Sequence, residues 1–330
     1  MPVEGGAGTR GPRRAAAVAV IAVTAAMTLA ACGGGGKDAS ADQRPARPSA
    51  ASDVGTATSK TSRPAGSPSP GPDTPARSAS AAPAGSSSSA APSTGVRLPP
   101  RHAGFDYQIG GAYSPPAGVR VVSRDRSSSP APGLYNVCYV NAFQAQPEER
   151  ASWPADLLLR GADGKVVIDE DWNEALLDIR TPAKRARIAE RVDGWIDGCA
   201  AKGFDAIEPD NYDSYTRSHG LLTAGDATAF ITLLSRHAHS RHLAIGQKNA
   251  AELAGLRKRT GLDFAVAEEC GQYDECGVYA KAFDDRVLVI EYTESGLRKA
   301  LEGYGTRLSI VRRDVDVSTP GSKGYVREVG

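Results

Sequence analysis

The sequence predicts an α/β fold, a (β/α)8 TIM-type barrel, in the part of the chain after residue 100. Three observations support this prediction. All 20 aromatic residues (6 Phe, 3 Trp and 11 Tyr) lie at or after Phe105, so the residues before it cannot build a core. About 230 residues follow residue 100, which suits one such barrel. Within them, short β-branched or aromatic runs alternate with helix-like stretches, which indicates parallel strands joined by crossover helices.

Residues 1–31 are typical of an export signal. A basic segment precedes an apolar run over residues 15–31, which is short for a membrane span. The run ends in Leu29-Ala30-Ala31-Cys32, which resembles the bacterial lipobox. We therefore expect Cys32 to be lipidated and to anchor the protein on the outer face of the cell membrane. An ordinary signal peptide cut near Ala31, which would release a secreted protein, is the alternative.

Residues 32–100 are predicted to form a disordered tether. Gly, Ala, Ser, Thr and Pro dominate this segment, and 11 of the 22 prolines lie between Pro45 and Pro100. Such a composition buries too little apolar surface to offset the entropy of ordering the chain. With about 68 residues, its root-mean-square reach is on the order of 45 Å, enough to hold a domain away from a membrane. A Ser/Pro-rich interaction tail is the alternative.

Net charge argues against a nucleic-acid partner. The first hundred residues contain 10 Lys and Arg against 5 Asp and Glu, whereas the rest of the chain contains 29 against 33. The folded part is therefore mildly acidic, and a nucleic-acid-binding domain would instead present a basic face.

Nine segments have strand-like composition, one more than a (β/α)8 barrel needs. Eight lie at residues 105–109, 119–123, 135–140, 204–207, 243–246, 264–267, 287–290 and 308–312, and a short ninth lies at 176–179. The connections on either side of the second segment are too short for full helices. We therefore expect one extra strand or an irregular N-terminal third.

Two helices are indicated by periodicity and end signals. In the segment 223–241, Thr223 and Asp226 have the spacing of a capping box, and apolar residues recur along one face. In the segment 181–201, Pro182 lies just inside the start, and Gly203 follows the end.

Polar groups follow four consecutive predicted strands. The motifs are Glu208-Pro209-Asp210-Asn211, Gln247-Lys248-Asn249, Glu268-Glu269-Cys270 and Glu291-Tyr292. In a barrel, the carboxyl ends of the strands meet on the face that carries catalytic groups. So much charge in one place costs stability unless it is used, so these motifs predict an active site.

Asp210 and Glu268 are the predicted catalytic pair. Two carboxyl groups are what glycoside hydrolysis requires, because one protonates the leaving oxygen while the other attacks the anomeric carbon or activates water. The sequence leaves open whether the anomeric configuration is retained or inverted.

Five motifs are distributed over the folded part of the chain. They are Phe105-Asp106-Tyr107-Gln108, Asn136-Val137-Cys138-Tyr139, residues 203–213, Gln247-Lys248-Asn249 and residues 264–276. Together they resemble glycoside hydrolase family 114, and the resemblance covers nearly all of residues 105–329. The family consists of (β/α)8 endo-α-1,4-polygalactosaminidases, and its acidic pair corresponds to Asp210 and Glu268. The chain departs from the family at Ala267, where many members have Asn, and at Gly271, where many have an aromatic residue.

The resemblance implies a cationic galactosamine-rich polysaccharide as the partner. Acids are expected to pair with its ammonium groups, and tyrosines to stack on its sugars, with core packing as the alternative for the tyrosines. Lys248 and Asn249 are expected to hydrogen-bond sugar hydroxyls or to keep a carboxylate ionised. The predicted substrate-binding residues are Asp106, Tyr107, Tyr139, Glu208, Asn211, Tyr212, Asp213, Lys248, Asn249, Glu269, Tyr273 and Tyr292.

Four cysteines remain besides Cys32, an even number in a chain predicted to be exported, so disulfides are expected. A Cys270–Cys276 bridge would close a short loop beside Glu268. A Cys138–Cys199 bridge is the other predicted pair, with two free buried thiols as the alternative.

No metal and no cofactor is expected. His237, His239 and His242 point to different sides of their helix and are predicted to be solvated. We expect a monomer, since nothing in the sequence requires an oligomer.

Two other functions remain open from the sequence. A non-catalytic carbohydrate-binding lipoprotein would keep the same cleft without the chemistry. Alternatively, Lys248 at a strand end would form a Schiff base, as in barrel aldolases.

Overall fold

A computed structural model describes residues 95–330. The predicted signal peptide, the lipidation site Cys32 and residues 33–94 of the predicted tether lie outside the described residues. Residues 95–100 pack on the folded body, because Tyr135 Oη donates to the Arg97 carbonyl (2.8 Å) and Arg97 Nε donates to Asp205 (3.0 Å). The predicted domain boundary at residue 101 stays a prediction.

The strands form two sheets. In chain order they are β1 (Gly104–Gln108), β2 (Val119–Asp125), β3 (Tyr135–Asn141), β4 (Gln144–Ala145), β5 (Ile168–Asp169), β6 (Glu174–Leu176), β7 (Ala206–Asp210), β8 (Ala244–Lys248), β9 (Phe264–Glu268), β10 (Val287–Glu291), β11 (Ser309–Arg313) and β12 (Arg327–Glu328).

Eight parallel strands form the barrel, in the order β1-β2-β3-β7-β8-β9-β10-β11, and β12 adds antiparallel to β11. The Ala103 N–H donates to the Ser309 hydroxyl (2.9 Å) and joins the two ends of the curled sheet. Each barrel strand corresponds to one of the first eight predicted segments, which confirms the predicted fold class.

The ninth predicted strand is not part of the barrel. Its first residue, Leu176, ends β6 in a small antiparallel sheet of order β4-β6-β5, inserted between β3 and the helix before β7. The described segments between β1, β2 and β3 contain no helix, so the N-terminal third is irregular, as the short connections predict.

The helices are α1 (Pro182–Lys202), α2 (Ala224–Ser240), α3 (Arg257–Thr260), α4 (Cys276–Ala282) and α5 (Glu294–Tyr304). Both hydrogen bonds of the predicted capping box are present at α2, from Asp226 N to Thr223 Oγ1 (3.1 Å) and from Thr223 N to Asp226 (3.0 Å). Gly203 ends α1 in the left-handed region (φ 87°). None of the helices in residues 95–330 is both long and apolar enough to cross a membrane.

The core has two layers. One fills the barrel, with side chains such as Phe105, Val137, Phe264 and Ile290. The other lies outside the strands, against the helices and the small sheet. Along each strand, alternate residues therefore face the barrel interior and the outer layer.

Both predicted disulfides are present. The Cys138–Cys199 bridge ties β3 to α1 in the outer layer, and the Cys270–Cys276 bridge closes the loop after β9.

Two of the three histidines are not simply solvated, which corrects the prediction. Half-buried His237 Nε2 lies 2.7 Å from Asp197, and half-buried His239 Nε2 lies 2.8 Å from Asp263. The Asp263 hydrogen bond raises the pKa of His239, although burial opposes this. These contacts join α2 to α1 and to the chain before β9, which helix periodicity alone does not reveal.

Candidate active site

Lys248, the last residue of β8, lies at the centre of a group of carboxylates. Its Nζ is 3.2 Å from Glu208, 3.3 Å from Asp210 and 3.4 Å from Glu268, and its side chain is only 1% exposed. Burial would lower the pKa of Lys248, but Asp210, Glu268 and Glu208 more than compensate and raise it well above its ordinary value. One ammonium ion at the C-terminal end of β8 is therefore shared by two carboxylates of β7 and one of β9.

Asp210 is held in its ionised form. Tyr139 Oη donates to Oδ2 (2.7 Å) and the Asn211 N–H donates to Oδ1 (2.7 Å). Burial raises the pKa of Asp210, but the charge of Lys248 and these two hydrogen bonds outweigh it, so that the pKa is lowered. An ionised carboxylate whose side chain is still 16% exposed can act as a nucleophile or as a base.

Glu268 is oriented by two side chains. Tyr292 Oη donates to Oε1 (2.5 Å), and Asn249 Nδ2 donates to Oε2 (2.9 Å). Asn249 is itself fixed, because its Oδ1 accepts from the Glu268 N–H (2.9 Å). The Glu268 side chain is 23% exposed, so both members of the predicted pair reach solvent.

The two carboxyl groups of this pair are close together. Because Lys248 Nζ lies 3.3 Å from Asp210 Oδ1 and 3.4 Å from Glu268 Oε2, those oxygens are at most about 6.7 Å apart, the sum of the two distances. Retaining glycosidases hold their carboxyl groups about 5–5.5 Å apart, and inverting ones about 6.5–9.5 Å apart. The upper bound excludes most of the inverting range for this oxygen pair.

Glu208 and Tyr107 lie beneath the pair and are fully buried, so the structure does not place them where a substrate amine or sugar face could reach them. Tyr107 Oη donates to Glu208 (2.7 Å), and Ser123 Oγ donates to its other oxygen (2.5 Å). Burial raises the pKa of Glu208, against the charge of Lys248. These residues support Lys248 from below, and their role as substrate contacts stays a prediction.

The chain turns sharply after each of the three strands. Asn211, Asn249 and Glu269 directly follow Asp210, Lys248 and Glu268, and all three have positive φ (67°, 50° and 57°). Asparagine tolerates this conformation, whereas for glutamate it costs on the order of 1–3 kcal/mol. Backbone strain of this kind is concentrated at functional sites, and here it coincides with the carboxylate cluster.

Two polar residues beside Asp210 were missed by the sequence-based prediction. Glu174 begins β6, and its Oε2 accepts from Asn141 Nδ2 (2.7 Å) and Asn211 Nδ2 (3.3 Å). Burial, together with Asp210 and Asp169, raises the pKa of Glu174 to about 7, although the Asn141 hydrogen bond opposes this. Asn141 ends β3, so the strand-end argument could have found it. Glu174 lies in an irregular segment that gave no such signal.

Glu269 and Tyr273 lie beside Glu268. Burial and the charge of Glu268 raise the pKa of Glu269, which is half-buried. The charge of Glu269 raises the pKa of Tyr273, whose ring is exposed. The structure thus brings these two predicted substrate contacts to the edge of the Asp210–Glu268 pair.

Three other predicted substrate contacts have partners within the protein. Asp106 is fully buried and accepts from Arg327 Nε (3.0 Å) and Gln108 Nε2 (2.8 Å). Asp213 pairs with Arg217 (2.9 Å), and the buried Tyr212 ring packs against Phe143. Asp106 faces away from the barrel interior because Phe105 and Tyr107, its strand neighbours, face into it.

Two chemical alternatives lose support. A Schiff-base lysine needs a neutral amine, and Lys248 is kept charged by three carboxylates. Among the described residues, one group has metal-ligand spacing, formed by Cys270, Cys276 and Glu291. Its two thiols are joined in a disulfide and cannot serve as thiolate ligands.

A barrel with two adjacent, partly exposed carboxyl groups at its C-terminal strand ends has the two groups that a barrel glycoside hydrolase requires. The chain belongs to glycoside-hydrolase family GH114, whose family model matches residues 85–329. It is therefore a glycoside hydrolase.

Two solved structures are similar to this chain. Ega3 of Aspergillus fumigatus, crystallised in complex with galactosamine, is 22% identical, with a TM-score of 0.59 over 72% of this chain and 99% of its own. The glycoside hydrolase domain of PelA from Pseudomonas aeruginosa is 15% identical, with a TM-score of 0.46 over 69% of this chain and 98% of its own. No curated protein matches the chain.

The structure shows what surrounds the two positions at which the chain departs from the family pattern. Ala267 faces the outer layer rather than the cleft. At Gly271, an added Cβ would lie 2.6 Å from the Gly296 carbonyl oxygen and 2.8 Å from Ala300 Cβ. Helix α5 therefore approaches too closely for an aromatic side chain at this position.

Proposed function

We propose that this protein is an endo-glycosidase that hydrolyses α-1,4-linked galactosamine and N-acetylgalactosamine polymers with Asp210 and Glu268. The observation that carries the proposal is the sharing of Lys248 by these two partly exposed carboxyl groups at the strand ends. Membership of family GH114 supports the reaction, and the similar fold of Ega3, solved with galactosamine, supports the sugar.

Asp210 acts as the nucleophile, since Lys248, Tyr139 and the Asn211 N–H favour its ionised form. Its oxygen bonds to the anomeric carbon as the glycosidic C–O bond breaks, while Glu268 gives its proton to the leaving oxygen. In the second step, Glu268 takes a proton from water, the water oxygen attacks the anomeric carbon, and Asp210 leaves. The upper bound of about 6.7 Å between their oxygens is compatible with this retaining route.

Lys248 balances charge during both steps. Glu268 becomes negative when it releases its proton, and Lys248 Nζ lies 3.4 Å from its Oε2. Because this ammonium ion is buried and fixed beforehand, it stabilises the developing charge without solvent reorganisation.

The test compares the full-length protein with Asp210→Asn and Glu268→Gln on partly deacetylated α-1,4-linked galactosamine polymer. We expect the wild type to release reducing ends and oligosaccharides, with α-configured products appearing first in NMR spectra. Each variant should lose at least about 100-fold in rate. Asp163→Asn and Glu302→Gln are matched controls, because these acids are 58% and 64% exposed and pair with a neighbouring lysine and arginine.

The second candidate is a carbohydrate-binding protein that uses the same cleft without catalysis. The exposed Tyr273 beside Glu269 would suit either function. Binding of the polymer by wild type and Glu268→Gln alike, without any release of reducing ends, would favour it over the hydrolase.

We infer from the sequence that the protein is exported and held at the outer face of the membrane as a monomeric lipoprotein, with Cys32 as the lipidated residue. The even set of four bridged cysteines is consistent with an oxidising compartment. Cys32→Ser should abolish labelling with radioactive palmitate and release the protein into the medium. Unchanged labelling would exclude Cys32 as the anchor.

A further inference from the structure

Glu174 occupies a distinctive position next to Asp210. The small sheet brings it there from the segment between β3 and α1, far from the strand-end motifs in sequence. Asn211, which donates to Glu174, directly follows Asp210, and Asn141, the other donor, lies opposite Asp210 in the β3–β7 pairing. Glu174 is thus fixed on the Asp210 side of the cleft, whereas Tyr292 and Asn249 are fixed on the Glu268 side.

The contacts of Glu174 leave one oxygen free. Oε2 accepts from both asparagines, while Oε1 has no hydrogen-bond donor among residues 95–330. The residue as a whole is neither fully buried nor fully exposed.

Glu174 also has no cation of its own in the described part of the chain. Arg217 is the nearby guanidinium, but it pairs with Asp169 (2.6 Å) and Asp213 (2.9 Å). Lys248 is shared by Glu208, Asp210 and Glu268. Keeping a partly buried carboxylate without a counter-charge is unfavourable, and a cationic ligand would offset this cost.

The chemistry of the reaction indicates which ligand atom could lie there. Asp210 attacks the anomeric carbon, and the C2 substituent is on the adjacent carbon of the same ring. In a galactosamine residue this substituent is an ammonium group, with three donors and a positive charge. In an N-acetylgalactosamine residue it is a neutral amide, which has one donor and a bulky methyl group.

We propose that Glu174 selects a free 2-amino sugar at the cleavage site by pairing its Oε1 with the ammonium group of the residue that Asp210 attacks. This inference rests on the proposed hydrolase function and adds a residue that determines specificity. Asn141 and Asn211 are positioning residues, because they orient Glu174 through Oε2 and leave Oε1 free for the sugar.

The experiment measures kcat/KM of the full-length protein on two defined α-1,4-linked oligomers, one fully deacetylated and one fully acetylated. In Glu174→Gln, the amide oxygen still accepts from both asparagines, but the charge is lost. A charge-assisted hydrogen bond is worth about 1.5–3 kcal/mol. We therefore expect Glu174→Gln to lose about 10- to 150-fold on the deacetylated oligomer and less than about 3-fold on the acetylated one.

Asp171→Asn is the matched control, because Asp171 lies in the exposed turn between β5 and β6, three residues before Glu174, and carries the same charge. It should leave both rates unchanged. Equal losses on the two oligomers in Glu174→Gln would overturn the proposal in favour of a structural role. The same selective loss in Asp171→Asn would replace it with general electrostatic attraction.

Binding provides a readout that does not depend on turnover. Calorimetry should show that wild type prefers the deacetylated oligomer and that Glu174→Gln loses this preference, with circular dichroism confirming the fold of both. An unchanged preference refutes the Glu174 contact even if hydrolysis is observed. Absence of hydrolysis in wild type, with the preference lost in Glu174→Gln, refutes the proposed hydrolysis of this polymer but retains the contact.

Discussion

At the scale of single residues, Lys248 supplies the positive charge that stabilises the carboxylate cluster. Without it, Glu208, Asp210 and Glu268 would be three adjacent acids, of which Glu208 is completely buried. Removing one partner from a buried ion pair costs about 3–5 kcal/mol, because the remaining charge is left uncompensated.

Lys248→Met should therefore lower the free energy of unfolding by about 3–5 kcal/mol at pH 7.5. The pKa of Asp210 is lowered in the folded protein, so its stabilising contribution is present above its ordinary value of 3.8 and is lost as the pH falls through the folded value. The loss in the variant should thus persist at pH 4 and shrink only below the ordinary value of 3.8, as urea titrations at pH 7.5, 4 and 3 would show. An equal loss at pH 7.5 and pH 3, or the same loss in the exposed control Lys165→Met, would contradict this.

Tyr139 and Tyr292 provide a matched pair of residue-scale tests. Tyr139→Phe removes a donor that lowers the pKa of Asp210, so the acid limb of the pH–rate profile should move to higher pH by about one unit. Tyr292→Phe removes the donor to Glu268 and should leave the Asp210 limb in place. Profiles of kcat/KM between pH 3 and 8 would distinguish the two, and coincident acid limbs in wild type and Tyr139→Phe would refute the assignment.

At the scale of elements, the end of β10 supports the loop that follows Glu268. Glu291 is fully buried in the outer layer, and its Oε1 accepts from the Gly271 N–H (2.7 Å). Burial raises the pKa of Glu291 to about 7, although the backbone hydrogen bonds from Gly271 and Gln272 oppose this. Glu291 therefore acts on the Cys270–Cys276 loop and not on the substrate.

This raised pKa predicts a pH dependence of stability. Folded Glu291 binds its proton more tightly than unfolded Glu291, and below the ordinary pKa of 4.5 this stabilises the folded protein by about 3 kcal/mol. The contribution is lost as the pH rises to about 7. Glu291→Gln keeps an acceptor for Gly271 and should flatten this dependence. Melting temperatures at pH 5 and 7.5 would test it, and a slope as steep as that of wild type would disprove it. Glu302→Gln, exposed on α5, should keep the wild-type slope.

At the scale of the whole molecule, the two disulfides have different tasks. The Cys138–Cys199 bridge joins β3 of the barrel to α1, over a sequence separation of 61 residues. The small sheet lies between these two elements in the chain. The Cys270–Cys276 bridge spans 6 residues beside Glu268. Loop-closure entropy predicts stabilisation of about 4 kcal/mol for the first and about 2 kcal/mol for the second.

Replacing Cys138 and Cys199 together by Ala should therefore lower the melting temperature more than replacing Cys270 and Cys276 together. The second double variant should instead lose more activity relative to its loss of stability, because its loop adjoins Glu268. Calorimetry and kcat measured well below both melting temperatures would separate the effects. Equal shifts in melting temperature would contradict the entropic argument.

Several parts of this molecule could be predicted because they depend on neighbours along the chain. The eight barrel strands, the capping box of α2 and the polar strand ends at Asp210, Lys248 and Glu268 follow from composition and periodicity. The two-residue period of β1 also contained the information that Asp106 faces away from Tyr107, but the strand-end argument did not use it.

The sequence by itself thus determined the barrel and the polar groups at its strand ends, since strand propensity, helix caps and strand-end polarity are local properties. Only the tertiary structure decided that three carboxylates share Lys248, that Arg327 pairs with Asp106 from 221 positions away and that the small sheet brings Glu174 to Asp210. These contacts depend on how distant segments pack and pair. No local sequence pattern specifies which distant segments meet. The burial that shifts the pKa values arises only after the chain has folded.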